Sequence, residues 1–248
     1  MNAQLRAELL KQRSTRTGLG LFATMLGLVV LAVFLHGFGL SARDLAGTDV
    51  QLMVFGRGEF LAAIFAALLG AMSFTAEIRY GTIRSTFLVT PSRGRVVAAK
   101  VAASMLIGTG FGLVAGAAAV GAGATALRAR GIDVQLDSGD YVLLVLGSAV
   151  AAALWAAVGV GIGALVRDQV PTLIGICAWL LFIEGLLVGD VGGLGDVGRF
   201  LPGAAASAIS GQGPGTLLAP ETGVVLLAFY AAATALTGAL ATSRRDVG

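Results

Sequence analysis

Residues that could do chemistry are scarce in this sequence, and those present do not form a catalytic set. There is one histidine, His36, and one cysteine, Cys177. A HExxH zinc site or a Cys/His cluster needs more ligands than that, so no metal site is expected. No GxxxxGK[ST] stretch occurs, so the chain has no P-loop with which to cradle nucleotide phosphates. Gly193-x-Gly195-x-x-Gly198 matches the dinucleotide fingerprint. That fingerprint works only between a strand and a helix N-terminus, and this copy lies in a connection between apolar segments, so it is rejected. An ion-coupled relay would show as ionisable residues inside apolar segments. Glu184 is the one deep candidate, near the outer end of its segment, while Arg57 and Glu59 flank the start of another and are expected to pair.

The richest set of functional side chains is instead a polar stretch, residues 77–100, EIRYGTIRSTFLVTPSRGRVVAAK. It sets Arg79, Arg84, Arg93, Arg95 and Lys100 against one acid, Glu77. Gly81 suits a helix C-terminus, and Thr82 can cap a new short helix running towards Val89. On that helix Ile83 and Phe87 share one face while Arg84 and Leu88 share another. Pro91 ends it and Ser92 can cap the next helix. The spacing predicts a short amphipathic helix held between two longer ones, of the kind that docks in a groove of a soluble partner. A basic loop that sets topology and touches anionic lipid is the plainer alternative.

The elements that must hold this stretch follow from composition. Of 248 residues, 56% are hydrophobic and 12% charged, with a mean hydropathy of +0.88. Soluble domains carry about 25% charged residues. Apolar segments at 18–40, 52–76, 96–127, 141–166, 170–189 and 221–242 are each long enough for a helix to cross the hydrocarbon core, which takes about 20 residues. Their continuous rather than alternating apolar character argues against a barrel. The expected fold is an all-α membrane protein, one helical bundle over residues 1–248. Residues 18–40 are too long for a signal-peptide core and are expected to remain as a first span. Cys177, inside an apolar run, reads as a small buried hydrophobe, and His36 as an interfacial residue.

Residues 1–17 read as an amphipathic interfacial helix, with Leu5 and Leu9 one turn apart, or as a charged tail. Residues 190–220 form a long connection in which Pro202 opens a short apolar piece, a re-entrant or interfacial helix or a plain outer loop. Gly108, Gly112 and Gly116, and again Gly159 and Gly163, recur every four residues. Such stripes allow close backbone approach, within one subunit or between two.

Basic residues set the orientation. With the N-terminus inside, Arg6, Lys11, Arg13, Arg16, Arg79, Arg84, Arg93, Arg95, Lys100, Arg167, Arg244 and Arg245 fall inside, twelve of the 17. Both termini and the 77–95 loop are therefore expected in the cytoplasm. The same clustering leaves nucleic-acid binding without support.

E-x-x-x-G-T followed by R-x-x-x-L-x-x-P-x-R and a later lysine reads here as Glu77, Gly81, Thr82, Arg84, Leu88, Pro91, Arg93 and Lys100. This resembles the cytoplasmic signature of ATP-binding-cassette (ABC) transporter permeases of the second, exporter type. The six spans, the N-terminal helix and the long connection before the last span extend the resemblance over the whole chain. It implies a homo- or heterodimer of permease subunits in the cell membrane, bound to two separate ATPase subunits that carry ATP and Mg. Residues 77–91 would be the coupling helix, with Glu77, Arg79, Gly81, Thr82, Arg84, Phe87, Leu88, Pro91 and Arg93 at or near the contact. No cofactor would sit on this chain itself. The cargo implied is a drug, an antibiotic or a lipid. An ATP-independent secondary transporter or channel, and a membrane anchor for a cytoplasmic partner, are the alternatives.

Overall fold

The computed structural model describes residues 2–89, 92–188, 195–213 and 216–244. Pro91, Gly193 and Arg245 lie outside the described residues. Among those described, none is in a strand, and six helical stretches are long and apolar enough to cross a membrane: Arg16–Gly39, Thr48–Arg79, Arg93–Ala129, Ser138–Val166, Gln169–Leu187 and Pro220–Arg244. The chain is a multi-pass helical membrane protein.

Its helices are α1 (Asn2–Ser14), α2 (Arg16–Gly39), α3 (Ala42–Leu45), α4 (Thr48–Phe55), α5 (Arg57–Arg79), α6 (Ile83–Val89), α7 (Arg93–Ala129), α8 (Ser138–Val166), α9 (Gln169–Ala178), α10 (Glu184–Val188), α11 (Pro202–Ile209) and α12 (Pro220–Arg244). The second apolar segment is divided by Gly56 into α4 and α5. The fifth is interrupted by a π-helical turn, Trp179–Ile183, between α9 and α10.

α8 is the central helix. It is coated with Ala and Gly, and most of its length is buried against α5, α7 and α12. The glycine stripes account for this closeness. A Cβ on Gly108 would lie 2.7 Å from the Ala152 carbonyl oxygen, and one on Gly116 3.0 Å from the Val145 Cα, so this stripe of α7 faces α8. Gly112 packs between them, on the Ser148 carbonyl. A Cβ on Gly163 of α8 would lie 2.7 Å from the Ala71 carbonyl oxygen of α5, and Gly159 packs on the Ala67 carbonyl. Both stripes are thus occupied inside the subunit. Lipid gives apolar helices no reason to associate, so backbone proximity of this kind supplies the packing.

α1 and α2 run in the same direction as α7. Glu8 bonds Lys100 and Gln12 bonds Ser104, each helix advancing four residues between contacts. Further along, the Phe22 and Phe111 rings lie 5.2 Å apart, and Gly37 meets Ala126. The face of α1 turned to the bundle is therefore the polar pair Glu8 and Gln12. Leu5 and Leu9, the apolar pair of the interfacial-helix reading, are half-buried.

The two ends of the bundle have separate polar seams. At one end Arg130 donates to the Gly37 and Leu40 carbonyls at 2.6 and 2.8 Å, neutralising the C-terminus of α2. Gln51, fully buried, donates to the Leu45 and Asp133 carbonyls and accepts from the Gln135 N–H. The other end gathers α1, α6 and the starts of α7 and α9 around the last turns of α5 and α12.

Candidate functional site

α5 ends where Gly81 adopts φ +71°, a conformation that a side chain would strain. The Tyr80 and Gly81 N–H groups return to the Ala76 and Ile78 carbonyls, closing the helix. α6 starts after Thr82, which acts differently from the sequence expectation. Its hydroxyl donates back to the Glu77 carbonyl at 3.4 Å rather than accepting from α6, and its own carbonyl accepts the Thr86 N–H at 3.3 Å. Ser92 precedes α7 as expected, but its carbonyl rather than its hydroxyl receives the Arg95 and Val96 N–H groups.

The two faces of α6 separate cleanly. Ile83 is buried with Phe74, Val97 and Ala164, and Phe87 packs at the edge of that cluster. Arg84 is exposed and Leu88 is 82% exposed. Tyr80 beside them is also exposed. Arg93 lies over the Phe87 ring at 5.5 Å and donates to the Thr242 carbonyl at 2.8 Å, tying the start of α7 to α12. Arg79 donates to Gln169 at 3.3 Å, linking α5 to α9.

Glu77 is bound most firmly. Its Oε1 accepts from both Lys100 Nζ and Lys11 Nζ at 2.8 Å, and its Oε2 accepts from the Thr86 hydroxyl at 3.1 Å. Lys100 is fully buried and also donates to Glu8 Oε2 and to the Ser73 carbonyl, each at 2.8 Å. Lys11 closes the ring on Glu8 Oε1 at 3.0 Å. Two carboxylates and two ammonium groups, drawn from α1, α5 and α7, form one neutral cluster directly behind α6. Burial alone would lower the Lys11 pKa, but its bonds to Glu77 and Glu8 outweigh that and hold it above the ordinary lysine value. A cavity of about 640 Å³ opens beside the cluster, between α1, α2, α5 and α6.

No protein-family model matches this chain, and no curated protein matches it either.

The sequence reading placed Glu77 and Lys100 at this end, but missed Glu8 and Lys11 as their partners, and the Gln12–Ser104 bond one turn further along. The i, i+3 pairing of Glu8 and Lys11 on a helix was the available signal. A second seam was also missed, at the opposite end. Glu59, also buried, does not pair with Arg57: its Oε2 accepts from Gln212 Nε2 at 3.0 Å and from the Ser207 hydroxyl at 3.4 Å. Arg57 Nε is buried without a partner among the described residues. Glu184 accepts from Trp179 Nε1 at 3.0 Å and from the Ala204 N–H at 2.8 Å, so its carboxylate caps α11. The π turn carries Trp179 and Glu184 into this arrangement. α11 is thereby bracketed by acids from α5 and from the fifth span. Cys177 is half-buried, and the His36 ring is bonded to the Ala32 carbonyl. No group of three or more metal-ligating side chains occurs among the described residues.

Proposed function

We propose that this chain is the membrane-spanning permease subunit of an ATP-driven ABC exporter, and that α6 is its coupling helix. The observation that supports this best is the connection of an exposed surface, Arg84 and Leu88, to a buried charge cluster through Glu77 and Thr86. A partner that pushes on α6 moves a short helix clamped on both sides. Ile83 and Phe87 grip the ends of α5 and α7, and the Glu77 carboxylate joins those helices to α1. Displacement of α6 is then shared by three helices rather than absorbed by a loop, which is what transmission to a two-state bundle requires.

In this reading two ATPase subunits hold ATP and Mg, and each seats one α6 of a permease dimer. The end bearing α1 and α6 faces the cytoplasm of the cell membrane, in keeping with the basic residues there. α11 is a re-entrant helix at the outer end, held by Glu59 and Glu184. The apolar spans suit a drug, an antibiotic or a lipid as cargo. The chain does not itself catalyse a reaction; hydrolysis belongs to the partner.

The test is co-purification of the chain with a co-expressed ABC ATPase, followed by reconstitution. ATP-dependent cargo movement that needs both chains supports the reading. Transport by this chain alone, driven by an ion gradient and insensitive to ATP, would replace it with a secondary transporter.

A further inference from the structure

A second cavity, about 460 Å³, lies on the other side of the α1–α2 junction. Its walls are apolar: Leu9 and Leu10 of α1, Leu19 and Phe22 of α2, and Ile107, Phe111 and Val114 of α7 contribute to it. One charged group stands on its lining, Arg13. Arg13 is exposed, and no hydrogen bond or ion pair joins its guanidinium to any described residue. Lys11, two residues away, is by contrast committed to Glu8 and Glu77.

The depth of this groove follows from helix geometry. Gln12 is bonded to Ser104, so Arg13 stands level with that turn of α7. From Ser104 to Val114 is ten residues, about 15 Å of helix rise. The hydrocarbon core is about 30 Å thick, so the groove is about one leaflet deep. Arg13 stands just before the apolar run of α2, where lipid headgroups lie, and the apolar walls continue inward from it.

We propose that this groove holds one acyl chain of an anionic phospholipid whose phosphate is bound by Arg13. A cation with no partner among the described residues, on the lining of an apolar slot of about one leaflet's length, matches such a lipid at both ends. Guanidinium binds phosphate through paired N–H donors. Leu10 and Leu19, both largely exposed at the rim, are covered by the chain when the lipid is seated. This inference needs only the membrane-spanning fold and does not rest on the transport reading.

The experiment is native mass spectrometry of the full-length chain released from vesicles of phosphatidylglycerol and phosphatidylcholine in equal amounts. The wild type is expected to retain phosphatidylglycerol preferentially. Arg13→Ala should reduce that preference by about fivefold, the scale of one basic residue at an anionic surface. Arg6→Ala, an exposed cation outside the groove, should leave it unchanged. Gly110→Leu should reduce retention of both lipids, because a Cβ at Gly110 meets open space and the added side chain would fill the slot without disturbing the core. Unchanged preference in Arg13→Ala would overturn the proposal. So would Gly110→Leu changing the oligomeric mass while leaving lipid retention intact, since the groove would then be covered by a second copy.

Discussion

Lys100 and Glu8, separated by 92 positions in the sequence, meet at 2.8 Å with almost no solvent at either side chain. This contact fixes α1 to α7, and through Glu77 it fixes both to the end of α5. A buried charge cannot be left without its partners cheaply. Replacing Lys100 with Met leaves Lys11 as the one cation of the cluster facing two carboxylates, and breaking a buried pair in this way costs about 3–5 kcal/mol. Lys100→Met is expected to lower the thermal unfolding midpoint in detergent sharply. Adding Glu8→Gln to it should recover part of the loss, because one orphaned charge is removed. Two single variants and the double variant, read by thermal unfolding, test this.

Lys11 gives the cluster a pH dependence with a definite sign. Its pKa in the folded chain is raised above the ordinary value of 10.5, since its bonds to Glu77 and Glu8 outweigh burial. Such a group contributes stability that is fully present below the unfolded value and is lost as pH rises through the folded value. Unfolding midpoints should therefore fall above pH 10.5 more steeply in the wild type than in Lys11→Met. Parallel curves for the two chains would remove Lys11 from the cluster's energetics.

The glycine stripes predict position-specific costs. A Cβ at Gly112 runs into the backbone of α8 at Ser148, whereas one at Gly121 on the same helix meets nothing within 4 Å. Gly112→Ala is expected to destabilise by about 1–3 kcal/mol through overpacking. Gly121→Ala should be neutral or stabilise by up to about 1 kcal/mol, since alanine is the better helix former. Equal melting of the two variants would mean that the stripe does not face α8.

The seam around α11 can be probed at Gly203. A Cβ there would stand 2.7 Å from both oxygens of the Glu184 carboxylate. Gly203→Ala should displace that carboxylate from the Ala204 N–H, with a cost on the scale of a lost helix cap, about 0.5–2 kcal/mol. The companion variant Glu184→Ala should lower the unfolding midpoint similarly, and the double variant should add little to either alone.

Periodicity and composition made the membrane-spanning helices legible, because a continuous apolar run of sufficient length admits few other structures. Gly81 was legible for a similar reason, being a breaker between two polar turns. The breaks within spans were not. Gly56 looks like any glycine in an apolar helix, and the π turn at Trp179 accompanies a bond from Glu184 to α11, a contact across 20 positions. The charge cluster was half visible. Glu77 and Lys100 stood out in the polar stretch, but Glu8 did not, since nothing local shows that it meets a lysine on another helix. Glu59 was assigned to Arg57 by proximity in sequence, and the fold gives it to Gln212 instead.

The central claim is that α6 presents a docking surface for an ATPase and passes its movement through Glu77. Leu88 tests it most directly, because at 82% exposure its replacement does not disturb the core. The measurement is retention of a co-expressed ABC ATPase on purified Leu88→Asp, with ATP-driven transport assayed in the same preparation. The expected result is a loss of ATPase binding and of transport by tenfold or more, at an unchanged unfolding midpoint. Wild-type ATPase retention and transport by Leu88→Asp would contradict the assignment of α6.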